Sequence, residues 1–210
     1  MLVRRLKNLR DSGTEIVFTA HEDIQKVYAR GSGMGAKQGE APAEPVAVKG
    51  WPDMPGNRTP DEFCRAADNV LRIRHVNKVP KAIAARESLG VGGDYWETKD
   101  RFNGRTLGSP PGCLPYDYAE IARLAQASGI WEPAYIWIFY GPFGIGKTRS
   151  LLTFPRPLYL FDLDRGVKSI SYDVKKIHAA EGPNAFVIDS YDVEDSDEYT
   201  RFTGAVGKLF

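Results

Sequence analysis

The chain has 210 residues, enough for one large domain or two small ones, and its 42% hydrophobic content can build a sizeable core. Its 28 lysines and arginines against 27 aspartates and glutamates exclude a nucleic-acid binder that works through bulk charge, so any such surface must be a local patch. The two cysteines, Cys64 and Cys113, fit no metal-ligand spacing and no apolar run reaches membrane-spanning length; a reduced, soluble, cytoplasmic protein with no membrane partner is the expectation.

In chain order, residues 1–10 place Leu2, Val3, Leu6 and Leu9 on one helical face, and Asp11-Ser12-Gly13 stops the helix. Residues 15–22 read as a short buried strand ending in polar residues. In an open α/β sheet, ligands gather at the carboxyl ends of strands, so His21 points towards a site if this strand lies centrally; a lone strand-end histidine is otherwise a hydrogen-bonded structural residue. Residues 29–48 hold Gly, Ala, Pro and charge with almost no bulky apolar side chain, a mobile loop by composition. With Arg30, Lys37 and Lys49 this stretch is either a basic grip for a nucleic-acid strand or an unused surface loop.

Residues 51–56 are turn material, and a helix over 59–67 carries Asp61 and Glu62 in its first turn. An alternating strand follows at 70–74. Residues 78–89 are basic and read as a loop or frayed helix, and 94–103 as a strand running into a basic turn. After the Ser109-Pro110-Pro111-Gly112 break, 116–127 form an amphipathic helix ended by Ser128-Gly129, where one segment, 1–129, gives way to a second, 130–210.

The second segment carries the strongest chemistry. An apolar, aromatic and β-branched run at 135–140 feeds into Gly141-Pro142-Phe143-Gly144-Ile145-Gly146-Lys147-Thr148, and a segment with helical potential follows. Strand, phosphate loop and helix are the context this motif requires. Successive backbone N–H groups and the positive end of a helix make a cavity for a polyphosphate. Lys147 would reach the β- and γ-phosphates and the Thr148 hydroxyl would hold a magnesium ion, with Arg149 beside them in the binding set. Beyond the loop, 158–164 form a buried strand ending in acids, 185–190 a further strand ending in an acid, and 196–209 a helix. There is no internal repeat, and no lid or acceptor pocket of a nucleotide kinase is recognisable.

Taken together, GPFGIGKT with the strand PRPLYLFDLDRG, LVRRLKNLRDSGTEIVFTAHE, AADNVLRI and ETKDRFNG resemble the RecA-like phage ATPases, nucleotide-binding proteins of AAA type with single-strand-annealing or recombinase roles. The resemblance covers most of the chain, but in another order: the family's phosphate loop lies near its N-terminus, and here the later pieces come first. It implies an α/β fold with a mainly parallel sheet flanked by helices, circularly permuted, with 1–129 and 130–210 together making one domain. A joined or truncated gene product is the alternative. In the permuted reading the strand at 135–140 pairs in parallel with residues 15–19 and 70–74, His21 lies near Lys147, and the helix after 196 ends near the helix at 1–10.

The resemblance also implies ATP and Mg2+ as ligands, ATP hydrolysis, single-stranded DNA as a partner and a homo-oligomer. Asp164 takes the place of the acid that orients the attacking water, and His21 that of the residue sensing the γ-phosphate. Arg101 is either a finger facing a neighbouring subunit's phosphate or a solvated turn residue. Asp189 is the candidate metal-shell acid. Residues 186–209 align slightly better with the strand and helix that precede the metal-shell strand, in which case that strand is missing and nucleotide is bound without turnover.

Overall fold

The computed structural model describes residues 8, 10–27, 47–54, 59–87, 89, 95–129, 135–163, 165–191, 197 and 200–201. Their elements in chain order are β1 (Glu15–Ala20), β2 (Glu22–Val27), β3 (Ala47–Pro52), α1 (Thr59–Ala66), β4 (Asn69–Val76), β5 (Val79–Ile83), β6 (Tyr95–Trp96), β7 (Cys113–Pro115), α2 (Tyr118–Ala127), β8 (Ile136–Tyr140), α3 (Lys147–Ser150), β9 (Leu158–Asp162), α4 (Ser171–Glu181) and β10 (Phe186–Ser190). Tight 3-10 turns occupy Leu151–Thr153, Gly166–Ile170 and Pro183–Ala185.

Seven strands form one mainly parallel sheet in the order β10-β9-β1-β8-β4-β5-β7. The first five are parallel; β5 and β7 close one side in antiparallel fashion. The aromatic strand β8 lies between two strands from the beginning of the chain, with Phe18 opposite Ile138 on one side and Val70 opposite Ile138 on the other. The pairing expected at 15–19 and 70–74 is thus present. A second, three-stranded sheet has the order β2-β3-β6.

Both faces of the large sheet are covered, which is why β1, β8 and β9 read as almost unbroken apolar runs. On one face Val17, Trp137, Phe139, Leu158 and Leu160 pack with Tyr118 and Ile121 of α2, with Val174 of α4, and with Leu151, Phe154 and Ile170 in and beside the 3-10 turns. Trp137 is the hub there, with the rings of Phe102, Tyr118, Tyr135, Phe139 and Phe154 all 5.5–5.9 Å from it. On the other face Ile16, Phe18, Ile138, Tyr140 and Phe161 meet Phe63 and Cys64 of α1 and Trp51 and Trp96 of the small sheet. Burial of each such large side chain stabilises the fold by roughly 1.5–3 kcal/mol.

Several expectations are corrected. Residues 78–89 contain β5, joined to β4 by a two-residue turn in which Asn77 and Lys78 both have positive φ, 52° and 65°; such mirror-image turns match the twist of a hairpin. Trp51 and Pro52, read as turn, end β3, and β2 follows β1 after a single residue. The stretch of 29–48 overlaps β3 at Ala47 and Val48, and its remaining residues, Arg30 and Lys37 included, lie outside the described residues. Helix α4 and strand β7 were not foreseen. The helix after the glycine loop is one turn of α3 plus a 3-10 turn, because Pro155 and Pro157 forbid its continuation. Apart from residues 8, 10, 197, 200 and 201, the terminal helices at 1–10 and 196–209 fall outside the described residues, and with them the expected meeting of the termini.

Among the described residues no helix is long and apolar enough to cross a membrane.

Candidate functional site

The carboxyl ends of the parallel strands build the candidate site. Strand β8, central in the sheet, ends at Tyr140, and the glycine loop follows directly. Ile145 in mid-loop is 7% exposed and packs into the core beneath α3, anchoring the loop from its own centre. Gly146 caps α3 with φ 87° and ψ 21°, a left-handed backbone that favours glycine. Lys147 and Thr148, though polar, are 3% and 4% exposed. Lys147 Nζ donates to the carbonyl oxygens of Gly141 and Pro142, 3.0 Å each, so the ammonium is held inside the curve of the loop.

A cleft of about 430 Å³ opens against this loop, within the range of small-molecule sites. One wall is Phe143, Gly144, Gly146, Lys147, Thr148 and Arg149; the other is the turn after β9, Arg165, Gly166, Lys168 and Ser169. Among the described residues its lining includes four cations and no carboxylate, which makes it a receptacle for an anion. Thr148, among the lining residues, carries a hydroxyl. Magnesium on a nucleotide keeps several waters and takes most remaining ligands from phosphates, so one protein hydroxyl suits its donor set. No group of three or more His, Cys, Asp or Glu that could hold a metal by itself occurs among the described residues.

Asp162 organises the second wall, and sequence reasoning passed over it in favour of Asp164. Fully buried at the end of β9, it accepts Gly166 N–H (3.1 Å) on Oδ1 and Val167 N–H (2.9 Å) on Oδ2, and Thr19 on β1 donates its hydroxyl to Oδ1 (3.2 Å). The acid caps the 3-10 turn and ties it to the neighbouring strand. Its sequence signature is a strand-end acid four residues before a glycine. Asp164 itself lies outside the described residues.

The remaining candidates scatter. His21 follows β1, level with Gly141 given the pairing of Ala20 with Tyr140. Its ring centre is 5.9 Å from that of Phe143, and its carbonyl accepts Asp53 N–H at 2.8 Å. The structure therefore brings His21 to the glycine loop, against the 86%-exposed Phe143, but not into the cleft lining.

Asp189 is not brought to the cleft. Along β10, Phe186 and Ile188 face the core shared with α2 and α4 while Val187 packs in the core on the other face, the side that Asp189 shares by alternation. Strands β9 and β1 intervene between β10 and β8, about 14 Å at the usual spacing. The Asp189 carboxylate accepts the Tyr159 hydroxyl. Burial first, then that acid, pushes the Tyr159 phenol above its ordinary range, and Tyr191 in the same setting up to about 12. Arg101 lies at the amino ends of the strands, paired with Asp68 (3.1 Å), and its backbone N–H donates to Asn69 Oδ1 (2.9 Å). Lys49, on β3, stands over the rings of Trp51 and Tyr95 at 4.8 and 5.2 Å.

Comparison with protein-family models, with curated proteins and with solved structures returns no match.

Proposed function

We propose that the chain binds ATP with Mg2+ through the loop at residues 141–148. The observation that carries this reading is the cleft between two walls: among the described residues four cations and no carboxylate line it, with a buried lysine fixed inside a glycine loop at a strand end. Lys147 would hold the β- and γ-phosphates, Thr148 the metal, and the loop amides and Arg149 the remaining oxygens. Bound magnesium would neutralise phosphate charge and hold the phosphate chain in one geometry.

Phosphoryl transfer to water requires positioning and charge neutralisation more than covalent chemistry, and the motif resemblance makes the chain an ATPase of RecA-like type, permuted in order, acting on single-stranded DNA in phage recombination or replication. Binding without turnover is the second reading, and two features favour it: Asp189 is outside the cleft lining and accepts the Tyr159 hydroxyl, and Asp162 is committed to capping amides.

Calorimetric titration with Mg-ATP tests the site. The parent chain should bind, and Lys147→Ala should lose most of the affinity while remaining folded; equal affinity in the two would remove the assignment. Phosphate release with and without single-stranded DNA then separates turnover from simple binding.

A further inference from the structure

Resting on that reading of the cleft, we propose that the turn after β9 reads the terminal phosphate of the nucleotide from within the same chain: Arg165 and Lys168 select a nucleoside triphosphate over a diphosphate.

The second wall of the cleft is built for an anion independently of the glycine loop. It contributes Arg165 and Lys168 side chains, and its backbone is held by Asp162 through the amides of Gly166 and Val167. A wall fixed in this way presents its cations without the ordering cost of a mobile loop. The backbone of Arg165 adds a second observation. Its φ of 54° and ψ of 24° lie in the left-handed region, where glycine is the undemanding choice. Among the described residues the other non-glycine residues with positive φ are Asn77 and Lys78 in the β4–β5 hairpin, where the turn type dictates it, and Asn103, an amino acid that tolerates it. Arg165 has neither reason. A residue kept in an unfavourable conformation at the rim of a cleft points to a use for its side chain there.

The chemistry of the ligand supplies the rest. Among the described lining residues Phe143 carries the one large apolar side chain, so the cations can take the phosphate chain and leave the base outside or against that ring. With the glycine loop holding one side of the chain, the second wall faces its far end. The terminal phosphate carries the most charge and is the part a diphosphate lacks. A guanidinium offers paired donors matched to phosphate oxygens, and an ammonium adds a point charge. The neutralising cations therefore come from the chain that holds the nucleotide, and no arginine from a second subunit is needed.

The test is calorimetric titration of the parent, Arg165→Gly, Arg165→Lys and Lys168→Ala with Mg-ATP and with Mg-ADP. The parent should prefer ATP. Arg165→Gly should weaken ATP binding by about tenfold, the loss expected for one charge-assisted hydrogen bond, and leave ADP binding within about twofold. Its melting temperature, measured alongside, checks that the variant remains folded. Lys168→Ala should show a smaller shift of the same kind, and Arg165→Lys should keep part of the preference. If the parent binds ADP and ATP but Arg165→Gly leaves their ratio unchanged, the role of the turn is overturned and the cleft remains a nucleotide site. Binding of neither nucleotide by the parent would overturn both.

Discussion

The carbonyl oxygen of Ile73 lies where a side chain on Gly141 would begin: a Cβ added to that glycine would stand 2.2 Å from it. Ile73 is on β4 and Gly141 just past β8, so the turn into the glycine loop passes hard against the neighbouring strand. Gly141→Ala should therefore cost about 1–3 kcal/mol, the scale of local backbone strain, and shift the carbonyls that receive Lys147. Urea unfolding of the two proteins checks this, and identical midpoints would contradict the close approach.

Asp162→Asn should loosen the second wall. The two carboxylate oxygens serve different amides, so an asparagine must turn its NH2 towards one of them. A loss of about 1–3 kcal/mol is expected, together with faster hydrogen exchange at the Gly166 and Val167 amides. Unchanged exchange at both would mean that the acid does not cap the turn.

Glu15 predicts a pH dependence of stability. Its carboxylate is buried, with Oε1 accepting the Tyr118 hydroxyl (2.8 Å) and Oε2 accepting Trp137 Nε1–H (2.8 Å) and Tyr135 N–H (3.2 Å). Burial outweighs these donors and lifts it above its ordinary value of 4.5. The folded chain then holds this proton more tightly than the unfolded chain. Its contribution is complete below about pH 4.5 and is lost as pH rises through the folded-state value. Asp100, also lifted mainly by burial, acts in the same direction, so the informative quantity is a difference. The parent's melting temperature should fall relative to that of Glu15→Gln as pH rises from 4.5; parallel curves would refute the linkage.

Arg101 and Asp68 should behave unequally. The Asp68 side chain is fully buried and is shared by Arg10 (3.0 Å), Arg101 (3.1 Å) and the Ile136 amide (2.9 Å), while the Arg101 side chain is 47% exposed. Arg101→Ala should lower stability by less than about 1 kcal/mol and leave ATP affinity unchanged. Asp68→Ala leaves the part-buried Arg10 and the Ile136 amide without their acceptor and should cost about 1–3 kcal/mol. Denaturant titration distinguishes the two. A turnover defect in Arg101→Ala at parental stability would instead restore a role across subunits.

How much of this was legible depended on burial and on locality. Strands β1, β8 and β9 are buried on both faces and announce themselves as apolar runs, and the glycine loop is contiguous in sequence. Strand β5 was hidden because Pro80 and Lys81 are only partly buried and its turn carries no glycine. Helix α4 buries Val174 with little else from its own span, so its periodicity is faint. The second wall could not be read because it joins the cleft only through the placement of β9 beside β1. Asp189 was ambiguous for a related reason: a strand ending in an acid does not disclose which face that acid takes, and both readings of 186–190 share the pattern.

The position of β8 sets an order on folding. Strands β1 and β4 share no ladder with each other and meet only through β8, which is some sixty residues further along than β4. Until residue 140 has left the ribosome, the facing edges of β1 and β4 have no native partner, and their apolar side chains have no central strand to pack around. Closing those long loops is slow compared with making a hairpin, and the waiting edges are templates for other chains. The β4–β5 hairpin can form early and alone; the large sheet must assemble late, around a strand whose own carboxyl end is the glycine loop.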